Sequence, residues 1–190
     1  MELVTRAVLF AAEAHDGAHR KSSHIPYIVH PMEAAAIAAS VTEDEHVIAA
    51  AVLHDVVEDT DVTEEQVEAL FGRRVAELVG SDSEDKREHL PAEDTWRIRK
   101  EESLELLRHT DDIGVKIIFL ADKLANIRAL YRDIRKKGDE VWQIFNQKDP
   151  AQHGWYYRTI ALLTSELKEH VAWQEYDRLT KMIFGTEIHA

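Results

Sequence analysis

The chain has 190 residues, 45% apolar and 31% charged, with a formal net charge of −13 and no cysteine. That balance suits a folded globular protein with a sizeable core. It excludes a disulfide framework, a thiolate metal site, a cysteine nucleophile and the broad basic face that nucleic acid requires. No apolar run reaches the ~18 residues of a membrane span, and the opening "MELVTRAVLFAAEAH" carries interleaved charges unlike a secretion signal. The lack of thiols fits a reducing compartment, so a cytoplasmic location is the expectation.

Seven glycines and four prolines, with apolar residues recurring at three and four, read as an all-α protein. A first helix is expected near 2–16, with Leu3, Ala7, Phe10, Ala11 and Ala14 on one face. A loop follows from Gly17 to about Val29. Pro31 suits the first turn of a small-residue helix ending near Val41. "TEDEHVIAAAVLHDVVED" reads as one continuous third helix with acids at its N-terminus. Thr63 and Gln66 have capping-box spacing for a helix stopping near Gly72. "RRVAELV" continues as a short one. Residues 80–94, "GSDSEDKREHLPAED", read as a polar loop. A helix is expected over Thr95–Arg108 and a long one over 112–136. Two more complete the chain beyond a looser stretch through Pro150, with "GWYYR" (154–158) at the start of one. No boundary or repeat divides the sequence, so residues 1–190 are expected to form a single domain.

Three places put polar chemistry where the pattern says core. "LHDVVEDT" follows the apolar run "VIAAAV", and helical spacing sets His54, Asp55, Glu58 and Asp59 over one broad side. The ordinary account is a solvated acidic face beside a hydrogen-bonded histidine, but "VIAAAVL" has little polar face to spare. Burying these groups is costly unless something cationic satisfies them. Asp122 lies inside "VKIIFLADKL" and needs a partner, either Lys123 or an arginine, or a metal. His30, in "PYIVHP", gains weight from the need for further ligands. Two imidazoles with two carboxylates suit Mn²⁺, Fe, Co²⁺ or Zn²⁺ better than Ca²⁺.

In order, His30, the pair His54–Asp55 and Asp122 form the H…HD…D signature that resembles the HD-domain phosphohydrolases. More narrowly, "HRKSSHIPYIVHP", "AAVLHDVVEDT", "LFGRRVAELV" and "LADKLANIRAL" look like the hydrolase domain of the RelA/SpoT alarmone enzymes. With no synthetase region, the chain is similar to the small stand-alone alarmone hydrolases. The match covers most of residues 1–135; beyond about 138 only "WQIFN" and "GWYYR" resemble small HD proteins. The resemblance implies an HD-type helical bundle of about eight to ten helices. Its metal ligands would be His30, His54, Asp55 and Asp122, with Mn²⁺ the usual ion and other divalent metals open. Its catalytic acids would be Glu58 and Asp59. Its substrate contacts would be Arg20, stacked on guanine, Lys21 and Ser22 in the same loop, and Asn126 one turn beyond Asp122.

The implied reaction is loss of the 3′ pyrophosphate from guanosine tetra- or pentaphosphate, giving GDP or GTP. The expected partner is thus a small phosphorylated nucleotide, with neither nucleic acid nor membrane, and with a homo-oligomer left open. Weaker substrate candidates are Lys86, Arg99 and Lys100 around the polar loop, and Tyr156, Tyr157 and Arg158. Two departures bear on substrate contacts: Ala18 stands where the family often has Gln, and "LVGSDSEDK" lacks the usual Val-Thr. Two alternatives stay open: a phosphatase for another nucleotide such as NADPH, and a catalytically silent module that binds a nucleotide or partner.

Overall fold

The computed structural model describes residues 1–185 apart from 22, 84, 86 and 88. Among them the regular structure is helical: α1 (Leu3–Ala14), α2 (Val29–Ala39), α3 (Glu45–Leu53), α4 (Val56–Asp59), α5 (Glu64–Phe71), α6 (Arg73–Asp82), α7 (Ala92–His109), α8 (Ile113–Lys137), α9 (Pro150–Leu163) and α10 (Val171–Phe184). A 3-10 helix, Gly138–Ile144, joins α8 towards α9. The all-α expectation holds, and no described helix is long and apolar enough to cross a membrane.

The long helix α8 is the axis of the core. Ile117, Ile118, Phe119, Leu120, Leu124 and Ile127 are all buried along it, each worth about 1.5–3 kcal/mol by burial alone. It packs against α2, α3, α6 and α10. The neighbouring α3 has no polar side through its middle, because Ala49, Ala50 and Ala51 are fully enclosed. Their small side chains let α1, α2 and α6 approach closely, so a larger residue there would overpack the core.

Local chemistry explains most boundaries. Thr63 and Gln66 form the expected reciprocal capping box at α5. Gly72, with φ of +88°, separates α5 from α6 in a conformation that L side chains rarely adopt. Asp112 caps α8 by accepting from the Gly114 N–H at 2.9 Å, and it also pairs with Arg74. The guanidinium is the main influence holding the Asp112 carboxyl below its ordinary range. Asp112→Ala should therefore cost about 1–2 kcal/mol in urea unfolding, with a smaller difference as the pH falls through the depressed carboxyl value, where the wild-type residue is itself protonated.

Three expectations need correction. The helix over 42–59 is broken: α3 ends at Leu53, and His54 and Asp55 form a turn before α4. In an unbroken helix adjacent side chains diverge by about 100°; the turn lets these two converge. The loop expected from residue 80 begins later, because α6 continues through Asp82. Finally, "GWYYR" does not start a helix; α9 begins at Pro150, capped by Asp149.

Candidate metal centre and nucleotide cleft

Three elements deliver the polar cluster. α2 supplies His30 from its first turn, the α3–α4 turn supplies His54 and Asp55, and α8 supplies Asp122 from its buried stripe. The packing of α2 and α3 on α8 brings these residues together. The Nε2 atoms of His30 and His54 lie 3.2 Å apart. His54 Nε2 is 3.0 Å from Asp55 Oδ2 and 3.5 Å from Asp122 Oδ1. His30 Nε2 is 3.4 and 3.1 Å from the same two oxygens. His30, His54 and Asp122 are buried, and each offers an atom to a common point.

The tautomer of His54 is set from behind. Its Nδ1 is 2.9 Å from the Ala51 carbonyl, which only accepts, so Nδ1 carries the proton and Nε2 presents a lone pair inward. The Nε2 atoms of His30 and His54 each lie within 3.5 Å of the other and of the Asp55 and Asp122 oxygens, and a cation among them satisfies all four. The donor set of two imidazoles and two carboxylates thus fits a divalent metal ion.

Burial alone would raise Asp55, but the His54 imidazole and hydrogen bonds from both histidines hold its carboxyl well below the ordinary range. Burial would likewise raise Asp122, which Lys123 and the histidines pull well down. For His54 burial favours the neutral ring, yet Asp55 and Asp122 outweigh it and raise the pKa well above its ordinary value.

A cleft of about 940 Å³ opens over this cluster. Glu58 and Asp59 line it one turn beyond Asp55, as do Arg20, Lys21 and Asn126. The structure thus brings the acid candidates Glu58 and Asp59 and the substrate candidates Arg20, Lys21 and Asn126 to one cavity over the histidine–aspartate cluster; Ser22 and Lys86 lie outside the described residues. Arg20 donates to Asn126 Oδ1 at 2.8 Å, and Asn126 Nδ2 donates to Asp122 Oδ1 at 2.6 Å. The Arg20 guanidinium also sits 5.6 Å from the centre of the Tyr27 ring. Arg99, Lys100, Lys136 and Lys137 line the same cleft, so a strongly acidic chain concentrates cations where a phosphorylated ligand would need them. Tyr156 and Tyr157 face it too. Arg158 is not among its lining residues; it donates to the Phe184 carbonyl at the end of α10.

Two residues, Tyr27 and Asp82, escaped the sequence reading as parts of the site, and Lys123 entered it only as an alternative to a metal beside Asp122. Tyr27 donates to Asp55 Oδ2 at 2.7 Å, and its place inside "IPYIVHP" was the available signal. Lys123 contacts Asp122 Oδ2, so the ion pair and the histidine cluster coexist on one carboxylate. Asp82 is buried on the floor of the cleft, with its carboxyl pushed up to about 6 by burial, against the pull of Lys123. Its signal was positional: Val75, Leu78, Val79 and Asp82 continue one helical stripe.

Comparison with known proteins follows the same lines. The HD domain pattern matches residues 7–151. The guanosine-3′,5′-bis(diphosphate) 3′-pyrophosphohydrolase of Vibrio cholerae is 41% identical over 135 residues, covering 68% of this chain. The bifunctional (p)ppGpp synthase/hydrolase SpoT of Escherichia coli is 41% identical over 131 residues, covering 66%. The chain spans only 18% of the length of each. Among solved structures, lmo0812 of Listeria monocytogenes is 32% identical with a TM-score of 0.71, covering 83% of this chain and 99% of its own. A metazoan ortholog of SpoT, described as hydrolyzing ppGpp and acting in starvation responses, is 27% identical with a TM-score of 0.77 and 98% coverage of both chains. A matched pattern over most of the sequence, on an all-helical frame that gathers its histidines and aspartates, leaves one conclusion: the chain belongs to the HD domain family.

Proposed function

We propose that the chain is a metal-dependent phosphohydrolase that removes the 3′ pyrophosphate from guanosine tetra- or pentaphosphate, with residues 1–190 acting as one hydrolase unit. The observation that carries this reading is the pair of imidazole nitrogens 3.2 Å apart, flanked by Asp55 and Asp122, at the floor of a cleft large enough for a nucleotide. The identity of relatives named for this reaction supports the substrate. In this reading His30, His54, Asp55 and Asp122 hold the ion, and Mn²⁺ is the ion proposed.

A divalent ion bound there supplies positive charge at the phosphorus under attack and makes water more acidic. The chain's own residues do the rest. Glu58 and Asp59, at the cleft wall, orient the attacking water, accept its proton and return one to the 3′ oxygen as its bond to phosphorus breaks. Arg20 releases Asn126 and lies flat against the purine, which a lysine would do less well. Lys21, at the exposed lip, adds charge for phosphate. Tyr27 holds Asp55 in place through its hydroxyl.

The test is product identity. The Mn²⁺-loaded protein, given a panel of phosphorylated nucleotides, should release pyrophosphate from the tetraphosphate and leave GDP. Orthophosphate from NADPH with no action on the tetraphosphate would move the reading to a different nucleotide. Binding without turnover would reduce the protein to a nucleotide-binding module.

A further inference from the structure

The floor of the cleft carries a third carboxylate that the four proposed ligands leave unused. Asp82, near the end of α6, has a side chain only 3% exposed. Its Oδ1 has no hydrogen-bond partner among the described residues. It faces the ammonium of Lys123, whose Nζ is 4.0 Å from Asp82 Oδ1 and contacts Asp122 Oδ2. Lys123 is itself 12% exposed, with its Nζ 5.7 Å from the centre of the Phe119 ring. It is therefore a largely enclosed cation within reach of two carboxylates, rather than a mobile surface charge.

An ordinary structural ion pair would match one ammonium with one carboxylate. Here Asp122 turns one oxygen to the histidines and the other to Lys123, and Asp82 Oδ1 lies 4.0 Å from the same ammonium. That is the layout of a two-ion centre: a carboxylate bridging two cations, with a further carboxylate beyond the second. Two-metal phosphohydrolases keep their ions ~3.5–4 Å apart around such a bridge. The charges also balance, since Asp55, Asp82 and Asp122 are matched by one divalent ion together with one ammonium.

We infer that Lys123 occupies the place of a second metal ion, so that its ammonium, positioned by Asp82, holds this centre to a single divalent cation. The inference rests on the proposed metal centre. Lys123 is here a positioning residue, supplying the second positive charge of the phosphate-binding floor without a second ion.

The experiment counts metal in the full-length chain, stripped with chelator, reloaded with Mn²⁺ and dialysed. Wild type should retain one ion per chain. Lys123→Met should retain two, with the exchange-coupled paramagnetic resonance signal of neighbouring Mn²⁺ ions. Lys123→Arg should return to one, and so should Lys123→Met combined with Asp82→Asn. If Lys123→Met loses its helical circular dichroism, Lys123→Gln is read in its place. One ion in the folded neutral variant would overturn the inference while leaving the metal centre standing. No ion in wild type would overturn the metal centre, and the inference with it.

Discussion

Asp55→Ala should reduce turnover of the tetraphosphate by on the order of a thousandfold or more, and should empty the metal site. Asp55 Oδ2 is shared by both imidazoles, at 3.0 and 3.4 Å, and accepts from Tyr27 at 2.7 Å. Its loss removes one proposed ligand together with the oxygen that both imidazoles and Tyr27 share. The charge stabilisation a metal gives a phosphoryl transition state is several kcal/mol, and ~4 kcal/mol corresponds to that rate factor. The companion variant separates binding from chemistry. Glu58→Gln leaves all four proposed ligands in place, so it should retain its metal while losing roughly 10²–10⁴-fold in rate. Rates are read by pyrophosphate release and metal content by mass spectrometry. Unimpaired turnover in Asp55→Ala would sink the metal mechanism, and loss of metal from Glu58→Gln would make Glu58 a ligand rather than an acid–base group.

Acidification should weaken metal binding steeply, the second large effect. Burial favours a neutral His54, but Asp55 and Asp122 raise its pKa well above 6.5 in the metal-free chain. Below that raised value the ring holds a proton on the nitrogen that faces the cluster, and a metal must displace it. The sign follows: affinity is greatest above the raised pKa and falls as the pH drops through and below it. One displaced proton gives about tenfold per pH unit in that range. Titrations with Mn²⁺ between pH 8 and pH 6, repeated calorimetrically in buffers of different ionisation enthalpy, should show weaker binding and one released proton. PH-independent affinity, or binding without proton release, would contradict the imidazole ligation.

The parts of the site readable from the sequence were those in which a residue violates its surroundings. Asp122 in "VKIIFLADKL" and His54 after "VIAAAVL" stand out because burying either alone is costly, and both prove buried in the same cluster. The break at His54–Asp55 was not readable. Hydrophobic periodicity continues through "VLHDVVED", and local propensity carries no sign of a turn that exists to let two neighbours share one point. Asp82 failed for the opposite reason. Its surroundings, "GSDSEDK", are polar enough to look like loop, so a buried carboxylate looked ordinary there. Tyr27 was hidden by distance, since its hydroxyl reaches Asp55 across 28 positions of sequence. The N-terminal limit of α7 also lay earlier than expected, at Ala92, because Pro91 can precede a helix without interrupting it.

The single amide of Asn126 has a thermodynamic consequence. It gives its oxygen to Arg20 and its nitrogen to Asp122, so neither end can be altered without the other responding. In the proposed roles, an ion drawing on Asp122 Oδ1 would compete for the electrons that hold the amide nitrogen, and a purine recruiting Arg20 would remove the donor that fixes the amide oxygen. Whatever factor the ion imposes on nucleotide affinity, the nucleotide must impose in return on the affinity for the ion. Under the proposed function, filling the cleft with nucleotide and loading its floor with metal form one linked equilibrium, and a dissociation constant for either has meaning only at a stated concentration of the other.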